Sequence, residues 1–214
     1  MLQMDVKERI LLKAADLFLR YGIRSITMDE IATQLGISKK TIYQFFTDKD
    51  DMVSAVIDAE IHKNEVECVE FRQHAADAVH QIFLAQESVE EMLKYTNPLM
   101  VYDLEKHHLR AFRRLKEFKY QFLHQVLTDN LQWGIEQGIY RPDLHIDIVV
   151  KARIEAAFLV FNPDVFPHSR YKVVEVAYEL AILFLNGVVT DKGKTLIEQY
   201  TTERNKKLSH EQKV

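Results

Sequence analysis

Between residues 38 and 46 the chain reads Ser-Lys-Lys-Thr-Ile-Tyr-Gln-Phe-Phe. The side chains that a helix over this segment would expose are Lys39, Lys40, Thr41, Tyr43 and Gln44. Their chemistry is that of a surface meeting a duplex. A lysine ammonium donates to guanine acceptors or to phosphate, and a glutamine amide pairs with adenine through two hydrogen bonds. Thr41 offers a methyl to thymine or a hydroxyl to phosphate. No acidic residue interrupts Ser38 to Gln44.

Other reactive side chains are poorly placed for catalysis. His107 and His108 are adjacent, so on a helix they point about 100° apart and cannot share one metal. His74 with Asp77, and Glu105 with His108, stand three apart, but a two-residue set falls short of the three or four protein ligands zinc takes. Both pairs read as solvated surface. Cys68 lies among Glu65, Glu67 and Glu70, the opposite of the positive surroundings that activate a thiolate. No phosphate-binding loop, dinucleotide fingerprint or nucleophile elbow occurs. The expectation is a protein that is not an enzyme and that carries no cofactor or metal.

The elements that would position the 38–46 segment have clear local signals. Val6, Ile10, Leu11, Ala14, Leu17, Phe18 and Tyr21 repeat at helical spacing, and Gly22 stands where a helix C-terminal glycine belongs. Thr27-Met28-Asp29-Glu30 is a capping box, with Ile26 and Ile31 at the staple positions. Gly36 ends that second helix, and Ser38 caps a third that is expected to run to about Phe46, with Ile37 and Ile42 as its staple. Asp48 or Thr47 then caps a fourth helix from Lys49. Two short helices joined at Leu35-Gly36-Ile37-Ser38 make a helix-turn-helix pattern. Ile31, Leu35, Ile37, Ile42 and Phe45 are the small core expected to hold the pair at its angle.

Only 6 glycines and 4 prolines occur in 214 residues, which favours long helices over the turns of a sandwich or barrel. After residue 50 helices are expected at 49–72, 75–95, 98–106, 108–137, 144–161, 170–189 and 192–208. The fold class is therefore all-α: a three-helix helix-turn-helix head and a helical body. The division expected is 5–65 for the head, with the helix-turn-helix at about 27–46, and 66–214 for the body, the two joined rigidly through the fourth helix.

Net charge is −4, yet residues 1–50 hold 8 basic and 7 acidic side chains while the remainder is acidic. An acidic body with a neutral-to-basic head can bind DNA through the head alone. A head of net +1 holds few phosphates at physiological salt. Two heads related by a twofold axis are needed, and with them a pseudo-palindromic site. The lone Cys68 excludes an internal disulfide and suits a reducing cytosol. Charged residues in the first fifteen leave no signal-peptide core, and Ala181 to Val189 is far shorter than the about 20 residues of a bilayer span. A cytoplasmic protein with no membrane partner is expected.

The segments Ile31-Ala32…Leu35-Gly36-Ile37-Ser38, Thr41-Ile42-Tyr43…Phe45-Phe46 and Lys49-Asp50, after Tyr21-Gly22 and Thr27-Met28-Asp29-Glu30, resemble the tetracycline-repressor (TetR) family of one-component transcription regulators. The likeness covers about a quarter of the chain, and Lys40 stands where many members carry glycine. It implies repression by operator occupancy, a homodimer on double-stranded operator DNA, and release by a small molecule bound in the body. It also implies that Tyr43 meets the DNA backbone, and that Thr27 and Lys49 clamp phosphates on either side of the 38–46 helix. The expected DNA-binding set is thus Thr27, Ser38, Lys39, Lys40, Thr41, Tyr43, Gln44 and Lys49. Helices 144–161 and 170–189, rich in apolar surface, are the expected dimer contact. Tyr95, Tyr102, Phe122 and Trp133 are named as lining candidates for a pocket taking a small apolar effector. The competing reading is a helical protein-interaction module without sequence-specific DNA binding.

Overall fold

The computed structural model describes residues 5–211 and is all-α. The head comprises α1 (Val6–Tyr21), α2 (Met28–Leu35), α3 (Lys39–Ile42) and the start of α4 (Lys49–His74). The body follows with α5 (Ala78–Tyr95), α6 (Met100–His107), α7 (Leu109–Glu117), a π-helical segment (Phe118–Leu123) and α8 (His124–Glu136). It ends with α9 (Ile146–Leu159), α10 (Val173–Val188) and α11 (Asp191–Glu211). Among the described residues there is no strand, only one antiparallel bridge between Tyr140 and Val189. Residues 212–214, the end of the expected body span, lie outside the described residues.

Caps fix the helix starts where the sequence put them. Glu30 N–H donates to Thr27 Oγ1 at 3.2 Å, and Thr27 N–H donates to Glu30 Oε2 at 2.6 Å. Ser38 Oγ accepts from Thr41 N–H at 3.1 Å, and Asp48 Oδ1 accepts from Asp51 N–H at 2.8 Å. Gly36 takes φ +65°, the left-handed conformation that turns α2 into α3.

Two elements depart from expectation. Rather than running to Phe46, α3 closes only Lys39–Ile42 as α-helix. Gln44 and Phe45 then donate to Thr41 and Ile42, three residues back. Asp48 stands extended to cap α4, and before it these tighter i→i+3 turns share the segment with a bond from Phe46 N–H to the Ile42 carbonyl, four residues back. Second, the helix expected at 108–137 is interrupted by the π-helical turn Phe118–Leu123.

The core falls into three clusters. The first joins Ile10, Phe18, Ile31, Ile42, Phe46 and Met52 of the head to Leu104 of α6 and Ala111 of α7, all at most 2% exposed. The α6–α7 pair is therefore seated in the head's own core, an attachment additional to the α4 continuity that the sequence suggested. A second cluster gathers α5, α8, α9, α10 and α11 around Leu131, Val150, Ile154 and Leu185. A third packs Leu93, Val160, Val176 and Ala177.

Candidate nucleic-acid interface

Ile42 and Phe46 anchor the α3 region inward, which turns Lys40, Tyr43 and Gln44 outward together. These three are spaced i, i+3, i+4, so they share one face, and all three are exposed. None has a side-chain hydrogen bond or ion pair among the described residues. Opposite them, Leu35, Ile37 and Phe45 are half-buried against the head core, alongside fully buried Ile31 and Ile42. The small core expected from sequence is thus assembled.

The remaining candidates are engaged locally. Lys39 Nζ lies 2.7 Å from Asp29 Oδ2 of α2, and that hydrogen bond raises the lysine's pKa. Ser38 Oγ and Thr41 Oγ1 are 2.9 Å apart, so the two hydroxyls are hydrogen-bonded to one another at the start of α3. Thr27 is exposed but is held by Glu30, its Oγ1 donating to Oε2 at 2.9 Å. Lys49 turns inward. Its Nζ donates to the Ile23 carbonyl at 2.6 Å and lies 5.9 Å from the Phe18 ring centroid. Burial lowers the pKa of this ammonium, against the pull of Asp103 and Glu30. In this conformation the Lys49 ammonium is turned away from the start of α4, where Asp48 already caps the helix and Asp50 and Asp51 occupy its first turn.

Sequence reasoning missed the residues that couple this surface to the body. Asp103 of α6 is buried, and its Oδ2 accepts from Arg24 N–H at 3.5 Å. His108 lies 2.7 Å from Asp50 Oδ1, and Arg110 lies 3.7 Å from Asp51. His108 and Asp77 were expected at a solvated surface, and both are buried. Asp77 caps α5 and accepts from Tyr200 O–H at 2.7 Å. Pairings across fifty or more residues leave no periodic trace, so no local signal could have found them.

The four pocket candidates are not brought together. Tyr95 lines a cleft between α1, α4 and α5, and Tyr102 lines a different one beside α7 and α9. Trp133 lies beneath the Arg72 guanidinium at 3.6 Å, and Phe122 stacks on Phe118 at 5.7 Å. Cys68 is half-buried, and that burial with Glu67 and Glu65 pushes its thiol up to about 11. Among the described residues no three of His, Cys, Asp and Glu are grouped to hold a metal, and no helix is long and apolar enough to cross a membrane.

A helix-turn-helix on a helical body, its outward face cationic and amide-bearing, defines a DNA-binding regulator. Residues 10–56 match the family model for bacterial regulatory proteins of the tetR family. The chain is 23% identical over 189 residues to the HTH-type transcriptional regulator YvaF of Bacillus subtilis (strain 168), covering 86% of this chain and 96% of that protein. It is 26% identical over 143 residues to the HTH-type transcriptional repressor KstR2 of Mycobacterium tuberculosis, covering 64% of this chain and 70% of the repressor. A solved TetR-family regulator from Agrobacterium tumefaciens superposes with a TM-score of 0.71 at 16% identity, over 86% of this chain and 97% of that one. The N-terminal segment is thus similar to the DNA-binding head of tetR-family regulators, and the fold of such regulators extends over most of the chain. The family and these relatives are regulators of transcription, not enzymes.

Proposed function

We propose that the protein is a cytoplasmic repressor that binds a pseudo-palindromic operator as a homodimer and leaves it when a small molecule occupies the body. The head is residues 5–65 and the body 66–214. The observation that carries the reading is the exposed, unpaired face of Lys40, Tyr43 and Gln44 on a helix whose other side is locked into the head core. Ser38, Thr41 and the amides at the start of α3 give this face a partly positive end. Thr27 and the starts of α2 and α4 flank it, and Lys39 and Lys49 add cations where they are released from Asp29 and Ile23.

Dimerisation through α9 and α10 is supported by their apolar exposure. Ile148 is 61% and Leu183 70% exposed, large for side chains with no polar atoms. The name of KstR2, a transcriptional repressor, favours repression over activation.

The test is selection of bound sequences from random duplex DNA at two salt concentrations, with the Lys39→Ala/Lys40→Ala variant alongside. The expected result is an inverted repeat. The variant's slope of log affinity against log salt becomes shallower by about 1 for each phosphate that its head no longer neutralises. Sequence-blind binding, or an unchanged affinity in the variant, overturns the assignment and leaves a helical interaction module.

A further inference from the structure

The α6–α7 pair is the part of the body seated in the head core, through Leu104 and Ala111. Opposite its outer side stands the C-terminal half of α9, whose Ile154 belongs to the body core. Between them is a cleft of about 570 Å³, within the size range of small-molecule sites. Its apolar wall includes Phe112 and Leu115 of α7, Phe158 and Leu159 of α9, and Phe161. The π-helical turn enters the cleft at Lys119. That ammonium lies 4.4 Å from the Phe158 ring centroid and 3.2 Å from Glu155. Tyr120, the next residue of the turn, donates to the same carboxylate at 2.5 Å. Such turns recur at functional sites, and this one occupies Glu155 from two directions.

Two further ammonium groups face the cleft without a carboxylate. Lys106 lies 5.8 Å from the Tyr102 ring centroid and Lys116 lies 5.0 Å from that of Phe112, and neither forms an ion pair among the described residues. Glu105 and Asp164 also line the cleft and are exposed. The charged lining is even in number, Lys106, Lys116 and Lys119 against Glu105, Glu155 and Asp164. Glu155 is already taken up by Lys119 and Tyr120, which leaves Lys106 and Lys116 as the ammonium groups placed beside the apolar wall to meet an anion.

We propose that this cleft binds an amphipathic organic acid, its carboxylate held by Lys106 and Lys116 and its apolar part laid against Phe112, Phe158 and Phe161. The proposal rests on the regulator reading and gives its effector a place and a charge. A ligand here touches the head-borne α6–α7 pair and the body-borne α9 at once. It shifts the spacing of the heads to the extent that it binds one arrangement of those helices better than the other.

The test is isothermal titration of the full chain with decanoate, decyltrimethylammonium and decanol, each below its micelle concentration. Decanoate is expected to bind saturably and more tightly than the cation by about tenfold or more, the scale of one or two charge-assisted contacts. In Lys106→Ala/Lys116→Ala that preference is lost while decanol binding is unchanged. Both lysines are exposed, so an unchanged melting temperature is expected and reports an intact fold. Absence of saturable binding, preference for the cation, or undiminished decanoate affinity in the double variant overturns the proposal. The operator selection run without ligand keeps the two readings apart. DNA binding without decanoate binding removes the cleft alone, and decanoate binding without DNA binding removes the regulator and leaves the cleft.

Discussion

Lys39 and Lys40 are neighbours in sequence and differ in what their charges can do. The Lys39 ammonium is held by Asp29 at 2.7 Å, whereas Lys40 has no carboxylate partner among the described residues. A cation already paired releases less on meeting a phosphate, because one attraction is exchanged for another. Lys40→Ala is therefore expected to weaken DNA binding more than Lys39→Ala, and Asp29→Asn to strengthen it by freeing Lys39. Fluorescence anisotropy with one duplex across a salt series checks all three. A larger drop in affinity from Lys39→Ala, or weaker binding by Asp29→Asn, sinks this account of the α3 surface. The outward trio Lys40, Tyr43 and Gln44 was legible because i, i+3, i+4 spacing on a capped helix is a local rule. The Asp29 contact spans ten residues and two helices, and the inward turn of Lys49 depends on where Ile23 presents its carbonyl. Neither follows from spacing.

At the scale of elements, helix starts were readable because each cap is written within four residues, as Thr27 with Glu30 and Asp48 with Asp51 show. The π turn was not. It has no glycine or proline to mark it, and it sits where Lys119 and Tyr120 both reach Glu155, thirty-five or more residues away. Gly134 in α8 is similarly hidden. An added Cβ would overlap the ring of Tyr140, which is 1% exposed and donates through its hydroxyl to Asn130 at 3.2 Å. Asn130 in turn donates to the Ala78 carbonyl and to Gln81, each at 2.9 Å, so the ring has no direction in which to retreat. Alanine ordinarily stabilises a helix interior over glycine by about 1 kcal/mol. Here Gly134→Ala is expected to destabilise by about 2–4 kcal/mol, the cost of overpacking a closed core. Urea unfolding measures it, and a stabilised variant would show that Tyr140 is free to move.

At the scale of the whole molecule, the acidic body and the small head charge lead to the expectation that one chain binds DNA weakly and that the proposed dimer binds it more tightly. Once one head is bound, the second meets its half-site as an intramolecular event. The α9–α10 face is where the link is proposed, and its chemistry is consistent with an unfilled partner. Ile148 and Leu183 are the exposed large apolar side chains of these two helices, and the Arg153 guanidinium nearby lies over the Phe184 ring at 5.4 Å. Burial lowers the Arg153 pKa to about 10, and this cation has no carboxylate partner among the described residues. Leu183 is 70% exposed, so its replacement by glutamate costs the single chain little. In a shared four-helix core the same carboxylates would meet across the twofold axis without partners, which is expensive. Leu183→Glu is accordingly expected to sediment as a monomer with an unchanged helical spectrum. Its affinity for a full operator is expected to fall by about a hundredfold or more, toward that of the unmodified chain for a single half-site. A variant that remains dimeric would move the interface off α10. A monomer with undiminished operator affinity would remove the dimer from the binding mechanism altogether.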